Sequence, residues 1–236
     1  MTTLQSLLQD NKVPGHCFAP DRYINVDIHS GLMESRGGYR LAAFPDALLR
    51  AIYSGLHYEA GQASRVILSN CGQQWGQEFY RRFEKEISEY FEQPLAELPL
   101  AVLLDSLQDL WATHGWGSLL VNLEYEQFGV IEISLTGSGF AQAAKEAMAV
   151  PEQGQCSEPS CHLESGILAS LFTALAGRSL HCVQTLCESM GAESNRFLVS
   201  TPERLRPVPD WIRQGIPHEE VVSRLSLGNG IQPPSF

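Results

Sequence analysis

The residues best equipped for chemistry in this sequence are its cysteines. Cys156 and Cys161 are five positions apart, and so are Cys182 and Cys187. Thiolates are nucleophiles and soft metal ligands, and six cysteines are too few for a disulfide scaffold in a chain of 236 residues. Close cysteines then favour metal or redox chemistry over staples. The lone Cys17 and Cys71 read as small buried hydrophobes.

The predicted settings of the close pairs differ. Cys156 and Cys161 lie in and after a loop, whereas Cys182 and Cys187 lie on a predicted strand, where an odd spacing puts them on opposite faces. One face would carry His181, Val183, Thr185 and Cys187, and the other Leu180, Cys182, Gln184 and Leu186, so neither is a ready ligand cage. His57, His114, His162 and His181 read as structural histidines, and no nucleophile and base pair emerges. A second candidate is "WATHGWG", where Trp111, His114 and Trp116 offer flat apolar faces with polar handles at a helix end.

The usual catalytic signatures fail. The sequence has no Walker A run, no Gly-x-Ser-x-Gly elbow, no His-Glu-x-x-His and no Cys-x-x-Cys. "TGSGFAQAA" offers Gly137 and Gly139, but Gln142 stands where a dinucleotide fingerprint requires Gly or Ala.

The elements that must position these residues follow from periodicity and punctuation. Helical spacing of apolar residues predicts helices over 45–59 and 61–91 and a third ending near Gly115. "SLLVNLEYEQFGVIEISLTGSG" reads as a hairpin, "FAQAAKEAMAV" as a helix, and "PEQGQCSEPS" as a loop. A helix over 161–176 is closed by Gly177, and "SLHCVQTLC" and "NRFLVS" supply two more strands. Short strands are expected on both sides of Gly37 and Gly38, and a short apolar helix at the N-terminus. Helices grouped before hairpins predict an α+β fold, a helical layer packed on an antiparallel sheet. Gly72 and Gly76, four apart on one helix, can let a neighbouring backbone approach closely. Punctuation divides the chain into an N-terminal extension (1–40), a main domain (41–201) and a Pro/Gly-rich tail (202–236) outside the core, with a short helix at 217–227.

The stretch "ESGILASLFTALAGRSLHCVQTLCESMGAESNRFLV" resembles the 4-vinyl reductase domain family, with its Gly-Arg helix exit, its strand ending in x-x-Cys, its "GA" turn and its closing strand "NRF". The likeness is most specific over 161–200, extends more weakly over 45–160, and leaves out the first 40 residues and the tail. It implies a mixed fold shared with TRAPP-type tethering subunits and with sensory domains of aromatic-responsive activators, usually dimeric. It also implies binding of small apolar molecules and a link to bacteriochlorophyll synthesis. The sensory relatives hold zinc through a Cys at the helix start, a Glu-x-x-Cys and a last Cys before Arg. Carried over, Cys161 and Cys187 match, but Gln184 replaces Glu and Asn195 replaces Cys. Neutral amides are poor zinc donors, so a degenerate metal site without stoichiometric zinc is expected. Cys156, Cys182 or His162 would have to fill the vacancies.

Composition narrows the partners. Lys and Arg number 16 against 27 Asp and Glu, a net charge of −11 that repels phosphate backbones and argues against nucleic acid. No secretory signal or transmembrane span is expected, which points to a cytoplasmic protein. The expected function is a non-catalytic binding or assembly protein with an apolar pocket between the 99–115 helix and the 118–135 hairpin, lined by Trp111, His114 and Trp116. Its ligand would be a flat hydrophobic molecule such as a tetrapyrrole, with photosynthetic assembly partners in a cyanobacterium or photosynthetic bacterium. Assembly is expected to be a homodimer through the Gly72/Gly76 face. The alternatives are an enzyme or accessory subunit of vinyl-tetrapyrrole reduction, for which no hydride-carrier fingerprint is present, and an interaction scaffold without ligand.

Overall fold

The computed structural model describes residues 17–148, 154, 156 and 158–227. The N-terminal helix expectation and half of the 151–160 loop lie outside the described residues. The chain begins with a short helix α1 (Pro20–Tyr23), followed by strands β1 (Ile24–Asp27), β2 (Leu32–Ser35) and β3 (Arg40–Leu41), which pair antiparallel in that order. Helices α2 (Asp46–Ala60), α3 (Ser64–Phe91) and α4 (Leu100–Thr113) come next. They lead into β4 (Ser118–Asn122), β5 (Ile131–Thr136), α5 (Gly139–Met148), α6 (His162–Ala176), β6 (His181–Leu186) and β7 (Asn195–Ser200). Three short helices, α7 (Pro202–Leu205), α8 (Val208–Arg213) and α9 (His218–Leu227), complete the described chain.

The main sheet has the order β4-β5-β7-β6 with every neighbour antiparallel, as hairpin-linked strands require. Strand alternation splits its residues between two faces. Leu119, Val121, Ile133, Leu135, Phe197 and Val199 join the main core with residues of α3, α4 and α6 such as Phe79, Phe83, Leu107, Trp111, Ile167 and Leu171. This is the α+β layering expected from the order of elements. Gly177 sits at φ 62° after α6, a left-handed position that ends the helix without a Cβ penalty.

Two expectations need correction. Gly72 and Gly76 do admit a close neighbour, but that neighbour is α6 of the same chain: a Cβ built at Gly72 would lie 2.1 Å from the Leu163 carbonyl oxygen, and one at Gly76 2.7 Å from that of Ile167. Their face is therefore spent inside the fold and is not a dimer surface. The tail also behaves differently, because α7–α9 cover the outer face of the sheet. There Leu205, Val208, Val221, Val222 and Leu225 bury Val130 and Leu198. The Pro residues that read as breaks include Pro202, which begins α7 at a position where a missing N–H costs nothing. The start of the described chain is also packed in, with Cys17 and Phe18 fully buried and the Cys17 carbonyl accepting from Arg36 at 2.6 Å.

Candidate functional site

Cys161 caps the start of helix α6, and its backbone N–H is one of the donors a helix leaves free at that end. The side chain of Gln184 on β6 satisfies it: its Oε1 accepts the Cys161 N–H at 3.0 Å, and its Nε2 donates to Asn195 Oδ1 at 3.2 Å. Asn195 Oδ1 also accepts the Glu188 N–H at 3.0 Å, while its Nδ2 donates to the Leu135 carbonyl at 3.2 Å and to Glu188 Oε2 at 2.9 Å. The Glu188 carboxylate in turn accepts the N–H groups of Gly137 and Ser138 at 2.8 and 3.2 Å. Two amides thus tie the helix start to three strands and to the turn that opens α5.

The thiols lie against this amide pair. Cys161 Sγ and Cys187 Sγ are 3.6 Å apart, both fully buried, and Cys161 Sγ lies 3.5 Å from Asn195 Oδ1. Cys187 Sγ also contacts Ser189 Oγ at 2.9 Å and Ser160 Oγ at 3.6 Å, and the Ser160 hydroxyl donates to Ser189 at 2.8 Å. The hydrogen bond from Cys161, helped by the two serine hydroxyls, draws the Cys187 thiol down to about 5. Burial pushes the Cys161 thiol well above its ordinary value.

Strict alternation would keep Gln184 and Cys187 on different faces. The structure brings both to the start of α6, because the register slips between Gln184 and Leu186 and Thr185 is taken up as a bulge. Cys182 also packs on the helix side, while Val183 packs on the outer side, so the predicted separation of Cys182 from Cys187 is corrected by the same bulge.

Glu164, in the first turn of α6, is fully buried. Its Oε1 accepts from the Ser138 hydroxyl at 2.7 Å and its Oε2 has no partner. Burial raises its carboxyl to about 8, which favours the neutral acid. The Tyr53 hydroxyl, which feels Glu164, Cys161 and Cys187, is also buried without a partner. No motif announced either residue, since Glu164 reads as an ordinary first-turn acid.

These residues do not fit a structural zinc ion. Such a site takes four N or S donors or carboxylates. Here there are two thiols, and among the described residues no group of three or more His, Cys, Asp and Glu side chains is arranged to hold a metal. Asn195 Oδ1 already faces three donors, and Gln184 Oε1 is held by a backbone N–H. His162 sits by Arg65 and Glu158, where burial lowers it to about 4. The Cys156 thiol points to the Ala144 carbonyl at 3.8 Å. Elemental analysis of the purified full chain is expected to find substoichiometric zinc; near one zinc per chain, lost in Cys161→Ser or Cys187→Ser, would contradict this reading.

The second candidate forms an aromatic stack between α3, α4, β4 and α5. Trp116 contacts Trp75, His114, Trp111, Phe79 and Phe140 with ring centroids 4.6 to 6.4 Å apart. Trp111 is fully buried and donates its indole N–H to the Trp116 carbonyl at 3.3 Å. His114 and Trp116 are only half-buried, and burial holds the His114 ring below its ordinary value. The three predicted pocket residues are brought together, and their space is filled by neighbouring rings. Of the lone cysteines, Cys17 is buried as expected and Cys71 is exposed.

A cleft of about 460 Å³ lies elsewhere, on the outer sheet face beneath α9, lined by Tyr125, Phe128, Glu132, Arg196, His218 and Val222 among others. At its floor Glu132 Oε1 accepts from Arg196 at 2.7 Å and faces His218 Nε2 at 3.0 Å, and His218 Nδ1 meets the Thr185 hydroxyl at 2.7 Å. Sequence reading missed this cluster because it placed the tail outside the core, and Glu132 looks like any outward strand residue.

Residues 143–201 match the family model of the 4-vinyl reductase domain, and they hold α6, β6, β7 and all four residues of the thiol and amide cluster. No curated protein matches the sequence significantly. Among solved structures, the phenol-responsive sensory domain of the transcription activator PoxR with phenol superposes with a TM-score of 0.64 at 16% identity, covering 90% of this chain and 97% of that one. A trafficking protein particle complex subunit 3 from Naegleria fowleri, covalently bound to palmitic acid, gives 0.47 at 13% identity over 66% and 93%. A vinyl-4-reductase family protein from Methanocaldococcus jannaschii gives 0.41 at 11% over 85% and 98%. The resemblance read from residues 161–200 is borne out: this chain carries a 4-vinyl reductase domain match, on the fold of a sensory domain.

Proposed function

We propose that this chain is a non-catalytic binding or assembly protein that takes a flat hydrophobic molecule against Trp116 and His114. The observation that carries the reading is the half-buried Trp116–His114 pair lying on a buried aromatic stack, in a fold shared with a phenol-responsive sensory domain. The stacked rings supply apolar faces, and the imidazole and indole supply polar handles, the mixture that small-molecule sites use. The family likeness suggests a tetrapyrrole as the ligand and a photosynthetic assembly pathway as the setting, in the cytoplasm. A homodimer belongs to the same proposal. Since Gly72 and Gly76 are used within the chain, its contact falls to exposed apolar residues such as Leu48, Ile52 and Ile67 on the helical layer.

Titration of the full chain with protoporphyrin, a chlorophyllide and phenol, followed by tryptophan fluorescence, is the test. Saturable quenching by one of them is expected, and Trp116→Ala should weaken it about tenfold, the worth of one aromatic contact of about 1.4 kcal/mol. No saturable change with any of the three would remove the reading.

A further inference from the structure

The thiol cluster is too poor in donors for zinc, yet it is more ordered than two unused core cysteines would be. Its sulfurs are in contact at 3.6 Å, and two hydroxyls, Ser189 and Ser160, lie against Cys187 and not against Cys161. We propose that Cys161 and Cys187 are a redox-active dithiol that closes to an intramolecular disulfide with a peroxide as its oxidant. This goes beyond ligand binding and does not depend on it.

Closing the pair requires the sulfurs to move from 3.6 Å to the bonded distance of about 2.05 Å. Both cysteines stand just outside regular elements, Cys161 before the first residue of α6 and Cys187 after the last residue of β6. The Cys161 carbonyl accepts the first helical N–H of α6, from Ser165 at 2.9 Å, and the Cys187 carbonyl accepts from Met190 at 3.0 Å. Closure is therefore assigned to rotation of the two side chains, with these backbone bonds kept. Cys161 is the thiol in contact with Cys187; Cys156, near the same two serines, points its thiol to the Ala144 carbonyl at 3.8 Å, and Cys71 is on the surface. The asymmetry of the pair assigns the roles. Cys187, with the Ser189 hydroxyl at 2.9 Å, is the attacking thiolate, and Cys161, with no hydroxyl against its sulfur, resolves.

The chemistry balances. Cys187 sulfur attacks one peroxide oxygen, the O–O bond breaks, and the departing hydroxide takes a proton and leaves as water, giving a sulfenic acid. Cys161 sulfur then attacks Cys187 sulfur, the S–O bond breaks, and the second hydroxide leaves as water with the Cys161 proton. Two thiols lose two electrons and two protons, and one peroxide becomes two waters. Glu164 Oε2 and the Tyr53 hydroxyl, buried, unpartnered and within electrostatic reach of the thiols, are polar atoms that can donate to a peroxide or to its leaving oxygen. A molecule the size of hydrogen peroxide suits a site this enclosed, where a protein disulfide could not reach the sulfurs.

The full chain carrying Cys71→Ser, purified with a phosphine reductant and a chelator and then freed of both, is treated with hydrogen peroxide, and its intact mass and peptides are read. The expected result is loss of two hydrogens, a single Cys161–Cys187 cross-linked peptide, and full reversal by the phosphine. Cys161→Ser should stop at a sulfenic acid on Cys187 that dimedone traps. The proposal is overturned if both cysteines still alkylate after peroxide and unfolding, if Cys187 cross-links to Cys156 or Cys182, or if zinc survives the chelator and protects the thiols. Should Cys161→Ser fail to fold, the peptide map of the Cys71→Ser chain alone decides.

Discussion

Gly72→Ala is expected to destabilise the protein by more than about 3 kcal/mol, although Ala is the better helix former by about 1 kcal/mol. The new methyl would lie 2.1 Å from the Leu163 carbonyl oxygen and 3.1 Å from the Gly166 Cα, both backbone atoms of the facing helix that cannot swing aside. Gly166 repeats the contact from the other side, where a Cβ would meet the Ser69 carbonyl oxygen at 2.3 Å. Helices α3 and α6 must then separate, and α6 carries Cys161 and Glu164, so the thiol cluster loosens with them. Gly55→Ala is the matched control: nothing lies within 4 Å of its Cβ, and it should stabilise by about 0.5–1 kcal/mol. Urea denaturation of the two variants reads the difference. Equal midpoints would show that the close approach does not hold the helices together.

Glu132→Ala is expected to cost about 3–5 kcal/mol, because it strips a buried carboxylate from two cationic or hydrogen-bonding partners at once. Glu132 and His218 are both under a tenth exposed, whereas Arg196 is about a third exposed and can turn to water. His218 bears the larger loss, and it is the residue that opens α9. Hydrogen exchange should therefore rise in 218–227 before it rises in the sheet. The hydrogen bond from His218, with Arg196 beside it, holds the Glu132 carboxyl below its ordinary value of 4.5. A depressed folded value gives stability that is complete above pH 4.5 and is lost as pH falls through the folded value. Wild type should lose stability below about pH 4.5, and Glu132→Gln should flatten that slope. An unchanged acid slope in Glu132→Gln, or unchanged exchange in α9 of the Ala variant, would show that the cluster does not latch the tail.

The order and type of the main elements were legible in local residue patterns. Apolar residues at helical spacing set α2 to α4 and α6, alternation set β4, β5 and β7, and Gly177 closed α6, all through interactions within a few residues. Such local signals do not depend on what the element meets later. The residues of 161–200 also carried the family likeness, and the replacement of donors by Gln184 and Asn195 was legible as a change of chemistry. What those amides do instead depends on distant partners: Leu135 is 60 positions from Asn195 and Cys161 is 23 from Gln184.

Three further matters were settled by folding, each because a long-range neighbour overrides a local rule. The Gly72/Gly76 face fits a second copy and α6 equally well on spacing alone, and the packing of α6 across α3 uses it within the chain. The faces of β6 followed strict alternation until one extra residue, Thr185, was absorbed as a bulge and brought Gln184 and Cys187 to the same helix end. The tail looked like a string of breaks because Pro and Gly mark turns, but the sheet's outer face carries Leu198 beside Val130, and apolar surface of that kind must be covered. Pairing a strand acid at 132 with a helix histidine at 218 depends on that covering, which no window of sequence contains.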